Sequence, residues 1–362
     1  MVAVLSVVGI ASVYGASSLE STDQGPVGAT YALGQALGVL VGGLAATLLA
    51  RLDYRHWRVA AWPLMGAALL LLLIPLLPFT IGIASPVNGA RRWIQLGVFS
   101  FQPSEFAKFA VVIWVAMLGA KKGEQIRTVR RGLLPVFVVV GPAVVMIFLE
   151  PHLSVAILTA LLAGVVLFAA GARIGHFLLL SAVAVPLLYG AIANVQYRLA
   201  RVITFLNSGI APEEAATQVG QSLVGIGAGR LLGVGFGAGQ QKLGYVPYAY
   251  SDFVFSTIGE EWGFVGVVVL TTLFGLFIWI GTRIARSAPD LFGQCLAAGL
   301  TAMIGVAALL HIGVNLAVIP ATGIPLPFVS YGRSSLLIAL AATGVLASIG
   351  QSGSERRGRE PE

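Results

Sequence analysis

Apolar residues run along this chain in long blocks, neither alternating as in a strand nor confined to one stripe of a surface helix. Blocks long enough to cross a bilayer fall at about 1–17, 30–50, 59–78, 104–120, 132–149, 153–171, 174–193, 263–283, 291–318 and 334–350. A span needs about 20 mainly apolar residues, because a helix rises about 1.5 Å per residue. The pattern predicts an all-α fold, a polytopic transmembrane bundle of about ten helices. Only Glu150-Pro151-His152 parts the fifth block from the sixth, a tight turn that suits proline. The first block lacks a basic lead-in and a small-residue cleavage site, so it is expected to be the first span and not a signal peptide. Between helices 7 and 8 lies a long, more polar interval, 194–262, expected to be a large extracytoplasmic loop. The organisation expected is therefore one integral membrane domain, 1–350, followed by a polar, disordered cytoplasmic tail, 351–362.

Composition agrees with the blocks. Charged residues make up 10% of the chain and hydrophobic ones 57%, and the mean hydropathy is +0.90. A soluble domain has about a quarter of its residues charged, so a soluble enzyme is excluded. The net charge of +7 comes from short basic clusters between apolar blocks, which is not the continuous stripe of a nucleic-acid surface. Those clusters orient the chain. Arg51, Arg55, Arg58, Lys121, Lys122, Arg127, Arg130, Arg131, Arg173, Arg283, Arg286 and the arginines of the tail fall on one side and outnumber the basic residues on the other. The bias predicts both termini in the cytoplasm. Cys295 is the one cysteine, which excludes an internal disulfide framework, and no His or Cys pair has zinc-site spacing.

Three segments on the predicted outer side carry polar groups. The first contains Asn88-Gly89-Ala90-Arg91-Arg92-Trp93, a turn followed by an amphipathic patch with an interfacial Trp93. The second is the long interval, which holds Arg198 and Arg201 at i,i+3, the Gly-rich run 225–239, Lys242, and Asp252 among Tyr248, Tyr250, Phe253 and Phe255. A carboxylate in such surroundings tends to have a raised pKa and to serve as an acid or base; the alternative is a solvated loop Asp. The third, Pro320 to Arg333, is apolar yet too rich in Pro and Gly for a helix, which is tolerated at membrane depth only inside protein or beside a wet cavity. The Gly-rich run offers a superficial phosphate-loop pattern, but without alternating strands and helices close packing or a hinge is the better reading. Ser104 is a plausible N-cap for the fourth helix. Glu105 and Lys108 share a face at i,i+3, as a helix-orienting ion pair or as a polar wall facing a charged lipid headgroup. Arginines suit a diphosphate because their fork is bidentate and permanently charged. These residues fit an enzyme acting on an anionic lipid-linked substrate, a transporter of such a lipid, or a scaffold. In the scaffold reading a partner helix would approach along Gly34, Gly38, Gly42 and Gly43.

The motifs RRWI (91–94), QPSEFAK (102–108), EPHLS (150–154), QQKLGYVPYAYSDFVFSTIGEEWGFVG (240–266) and NLAVIPATGIPLPFVSYGRSSLL (315–337) occur in order over most of the chain. In them the sequence resembles the SEDS family (shape, elongation, division and sporulation), and a start almost at the first helix, without a long cytoplasmic extension, leans toward its RodA branch over its FtsW branch. The resemblance implies ten transmembrane helices and a peptidoglycan glycosyltransferase that polymerises lipid II outside the cytoplasmic membrane of a bacterium. It implies a class B penicillin-binding protein as partner. It also implies an inverting displacement in which Asp252 takes the proton of the acceptor's 4-hydroxyl. Basic residues or a divalent cation, Mg or Mn, would neutralise the departing undecaprenyl diphosphate. The substrate-binding residues expected on this basis are Trp93, Glu105, Lys108, Arg198, Arg201, Lys242 and Ser330. Two positions depart from the family pattern: His152 stands where an Asp is usual, leaving Glu150 as the nearby carboxyl, and Arg333 replaces the first Gly of GGSS.

Overall fold

A computed structural model describes the chain except residues 18–20, 23–24, 81, 87–89, 98, 207–212, 241–248 and 358–362. The helices are α1 (Val2–Ser17), α2 (Val27–Arg51), α3 (His56–Leu76), α4 (Pro103–Lys122), α5 (Leu134–Leu149), α6 (Leu153–Ala169), α7 (Ile174–Ala193), α8 (Gln196–Leu206), α9 (Glu213–Ala228), α10 (Val254–Ser287), α11 (Leu291–Asn315) and α12 (Arg333–Arg357). Two short antiparallel ladders join β1 (Ser21–Thr22) to β2 (Gly25–Pro26) and β3 (Ile94–Leu96) to β4 (Phe99–Phe101). Each apolar block becomes one helix. Eight are long and apolar enough to cross a membrane, and α1 and α6 are shorter apolar helices. The protein is a multi-pass membrane protein. Within the long interval the chain forms α8 and α9, and the first turns of α10 begin there.

Two sequence expectations are corrected. Gln102 caps α4, with Pro103 as its first residue, so Ser104 is already inside the helix. Proline's fixed φ suits the first helical position, and it drives the preceding residue to the extended conformation seen at Gln102 (φ −104°, ψ 107°). The polar end of the chain is helical through Arg357. Once α12 is nucleated by its apolar part, extension adds one hydrogen bond per residue. Gly353 also lies against the Ser287 carbonyl, where a Cβ would come within 2.7 Å.

The chain divides into two compact units: Met1–Val39, Leu178–Leu276 and Val306–Gly332 form the first, and Leu40–Phe177, Phe277–Gly305 and Arg333–Glu362 the second. Their boundaries fall inside α2, α7, α10 and α11 and at the start of α12. The second unit is centred on α4, whose residues Val111 to Val115 are almost wholly buried, with edge-on Trp57–Phe109 and Trp62–Trp114 contacts from α3. In this unit α2 meets α12 through small residues. A Cβ on Gly42 would come within 2.5 Å of Leu340, and one on Gly344 within 2.4 Å of the Ala46 carbonyl. Gly42 is therefore an internal packing residue, not the partner-facing one expected; Gly43 has open space beside it.

In the first unit the Gly-rich run repairs a broken helix. At Gly263 the backbone of α10 leaves helical geometry (φ 66°, ψ −163°), which strands carbonyls before the break and N–H groups after it. The run supplies both. Val234 and Gly235 donate to the carbonyls of Glu260 and Glu261 at 3.0 and 3.2 Å. Phe264 and Val265 donate to those of Arg230 and Leu231 at 2.8 and 3.2 Å. Such main-chain contact leaves no room for side chains: a Cβ on Gly233 (φ 83°) would sit 2.1 Å from the Glu261 carbonyl. The close-packing reading of this run is the one realised, through backbone pairing at the kink.

Candidate active site

Asp252 is presented between two apolar anchors. Ala249 and Phe253 are buried with Ala16 and Val314, and Val219, Tyr250, Ile319 and Ala321 pack around them. Burying both anchors forces the chain between them into a tight turn just before α10, and Asp252 lies on that turn, half-buried. The turn is fixed from several elements of the first unit. Ser251 Oγ donates to Asp252 Oδ1 at 3.3 Å, and the Asp252 carbonyl accepts from Asn315 Nδ2 on α11, also at 3.3 Å. The Pro-rich segment is stapled to the same turn: the Ser330 hydroxyl donates to the Ser251 carbonyl, and the Tyr331 N–H donates to the Tyr250 carbonyl at 3.0 Å. Gln35 of α2, fully buried, donates to the Ser330 carbonyl at 3.2 Å. Tyr31, Tyr250 and Tyr331 meet as a triad with centroids 4.8 to 5.8 Å apart. Gly323 also lies beside the carboxylate, where a Cβ would stand 3.8 Å from Asp252 Oδ2.

The other expected residues of this unit are placed as follows. Arg198 and Arg201 share one face of α8, as their spacing requires, and both guanidinium groups lie against the Tyr197 ring at 5.6 and 5.9 Å. Arg198 is half-buried and donates to the Ala191 carbonyl at 3.0 Å. Arg201 is exposed and reaches the Ala321 carbonyl at 3.4 Å, in the Pro-rich segment. The Ser330 hydroxyl gives its hydrogen to Ser251 and accepts from the Leu326 N–H at 2.9 Å, so it braces the loop. Lys242, like Tyr248, Asn88 and Gly89, lies outside the described residues.

A second polar cluster belongs to the second unit. Glu105 and Lys108 pair at 2.8 Å in the first turns of α4, with side chains only 4% and 5% exposed. Removing two charges from water is costly, and pairing, together with Glu105 at a helix N-terminus, offsets part of that cost. Around them, Ser334 Oγ accepts the Gln102 N–H at 2.9 Å, and Gln102 Nε2 lies 3.3 Å from His152 Nδ1. With the amide donating, the imidazole proton is on Nε2. Arg92 is spent on the turn between α5 and α6, donating to the carbonyls of Glu150 and Pro151. Both Glu150 carboxyl oxygens are buried without a hydrogen-bond partner among the described residues. Burial pushes the Glu150 carboxyl up to about 8, against the attraction of Arg92. Burial, helped by the charges of Arg92 and Lys108, pushes His152 down to about 3. The two groups near the expected carboxylate position are thus both neutral at pH 7. Trp93 is half-buried immediately before β3.

Sequence reasoning missed Asn315 and Gln35. Their signal is an amide inside an apolar block, where an unpaired polar group would be costly and therefore implies a partner. Among the described residues no group of three or more His, Cys, Asp or Glu is gathered as a metal site.

Residues 1–355 match the family described as cell cycle protein, FtsW/RodA/SpoVE. A probable peptidoglycan glycosyltransferase FtsW of Trichlorobacter lovleyi is 39% identical over 349 residues, which cover 96% of this chain and 91% of that protein. Stage V sporulation protein E of Bacillus subtilis is 36% identical over 345 residues, covering 95% and 93%. Among solved structures, a chain from a peptidoglycan synthase complex that coordinates polymerization and crosslinking superposes with a TM-score of 0.78 at 31% identity, covering 97% and 95%. The rod shape determining protein RodA of Thermus thermophilus superposes with a TM-score of 0.69 at 30% identity, covering 97% and 94%. Sequence relatives thus carry the FtsW and sporulation names and a structural one the RodA name, so the lean toward RodA gains no preference. With a family match over nearly its whole length and relatives above 30% identity across both chains, this protein belongs to the SEDS family of FtsW, RodA and SpoVE.

Proposed function

We propose that this protein is a peptidoglycan glycosyltransferase that polymerises lipid II, with Asp252 as its general base. The observation that carries the assignment is the presentation of Asp252: half-buried, on a turn anchored on both sides, with its main chain bonded to α11. The peptidoglycan glycosyltransferase and synthase names of the relatives supply the substrate class. In the reaction the GlcNAc 4-hydroxyl of the incoming lipid II donates its proton to Asp252 as its oxygen attacks the anomeric carbon of the growing chain. The bond from that carbon to the undecaprenyl diphosphate breaks in line, which inverts an α-linkage to a β-1,4 linkage. Negative charge collects on the departing diphosphate, where Arg198, Arg201 and Lys242 are the assigned cations. A divalent cation, Mg or Mn, bound by the diphosphate itself would share in neutralising that charge. The active site is assigned to the outer face of the cytoplasmic membrane, with both termini inside. A class B penicillin-binding protein is the proposed partner, in keeping with a relative that works within a polymerising and crosslinking complex. The glycosyltransferase and synthase names of the relatives favour polymerisation over the flippase and pure scaffold readings.

The test is polymerisation of labelled lipid II by the purified protein together with its transpeptidase. General-base help is worth about 10²–10⁴ in rate, so Asp252→Ala is expected to lose at least about 10²-fold while keeping its fold. A folded Asp252→Ala protein that polymerises at the wild-type rate rejects the base assignment.

A further inference from the structure

Asn315 ends α11, is completely buried, and uses its whole side-chain amide. Oδ1 accepts from the Ser256 N–H at 3.1 Å and from the Ser222 hydroxyl of α9 at 3.4 Å. Nδ2 donates to the Asp252 carbonyl at 3.3 Å and to the His311 carbonyl, one turn back on α11, at 2.9 Å. The Ser222 hydroxyl shares its hydrogen with the Asn315 carbonyl at 3.0 Å, so α9 supports the amide from behind. One rigid, planar group therefore ties the main chain at the Asp252 carbonyl to the first turn of α10 that follows it. Only a neutral amide can donate and accept in one plane at this size. A carboxylate of the same shape would face the carbonyls of Asp252 and His311 with an oxygen, and an aliphatic side chain would leave the Ser256 N–H, which Asn315 shares with the Phe253 carbonyl at 3.0 Å, with that carbonyl alone.

We propose that Asn315 is a positioning residue for Asp252, fixing the turn so that the carboxylate meets the acceptor hydroxyl. This rests on Asp252 being the base. A base displaced by about 1 Å can cost about 10²-fold in rate.

The experiment measures lipid II polymerisation by the full-length protein with its transpeptidase, for wild type, Asn315→Ala, Asn315→Asp and Asp252→Ala. The readouts are kcat per folded molecule, KM, the pH–rate profile and thermal stability in detergent. Asn315→Asp keeps the acceptor toward Ser256 and loses only the donor toward Asp252 and His311, so it serves where the alanine variant does not fold. The expected result is a fall in kcat of about 10- to 100-fold with KM within about threefold. The acidic limb of the profile should also flatten, because a misplaced base no longer contributes. A merely structural role would scale the profile by the folded fraction without changing its shape, and that result overturns the proposal. So would folded variants with kcat within threefold of wild type, or failure of both variants to fold, which assigns Asn315 to stability alone. If Asp252→Ala is inactive while the Asn315 variants are normal, only the positioning role falls. If Asp252→Ala is fully active, the base assignment beneath it falls instead.

Discussion

Glu150 and His152 sit two residues apart and respond to pH in opposite senses. The Glu150 carboxyl, raised from 4.5 to about 8, is held protonated in the fold. Its contribution to stability is complete below about pH 4.5 and is lost as pH rises toward 8, because the unfolded chain ionises first. His152, lowered from 6.5 to about 3, is held neutral, so its contribution is present above 6.5 and is lost as pH falls toward 3. Between 4.5 and 6.5 the two slopes oppose one another, and above 6.5 only the Glu150 loss remains. Thermal melting in detergent is therefore expected to fall from pH 6.5 to 8 in wild type. Glu150→Gln, neutral at every pH, should lose that slope and melt higher than wild type at pH 8. An unchanged slope in the variant would place the titration elsewhere.

Elements in this protein are defined as much by repair as by propensity. Helix α10 breaks at Gly263, and the break persists because the segment 230–235 answers its unpaired backbone groups. That arrangement depends on glycine at close approach. In Gly233→Ala the new methyl would meet the Glu261 carbonyl on a backbone of positive φ. A cost of about 2 kcal/mol or more is expected from the strained conformation alone, read as a lower melting temperature and increased protease sensitivity. Gly43→Ala is the control: nothing lies within 4 Å of its built Cβ, and its melting temperature should match wild type. Equal stability of the two variants would mean that the kink tolerates a side chain. The continuation of α12 to Arg357 has a similar basis, since its polar turns extend an already formed helix and close on the end of α10.

At the scale of the whole molecule, orientation is written in its surface charges. Basic residues concentrate in the segments 51–58, 121–131 and 283–286 and in the C-terminal turns, a bias that predicts both termini in the cytoplasm. Fusion of a fluorescent protein to the C-terminus should give fluorescent cells, and fusion of alkaline phosphatase at the same point should give inactive enzyme. The reverse pair of results would invert the assigned orientation and put the Asp252 turn on the wrong side for an extracytoplasmic polymerase.

The sequence alone determined the number and extent of the apolar helices, because membrane burial demands continuous apolar runs whose length is set by bilayer thickness. It also marked Asp252, and it marked Glu105 with Lys108, since ionisable groups beside such runs are costly enough to stand out. The helices α8 and α9 were hidden because short amphipathic segments in a polar interval resemble a loop in composition. The cap of α4 was misplaced by one natural N-cap residue, Ser104, competing with the stronger constraint of Pro103. Only the tertiary structure decided what the glycines of 225–239 pack against, that Gly42 faces α12, and that Ser330 braces a turn. It alone brought Asn315 to Asp252 across 63 residues of sequence. A hydrogen bond between distant segments depends on where two backbones happen to pass. Local pattern records how costly a buried amide is, but not which partner satisfies it.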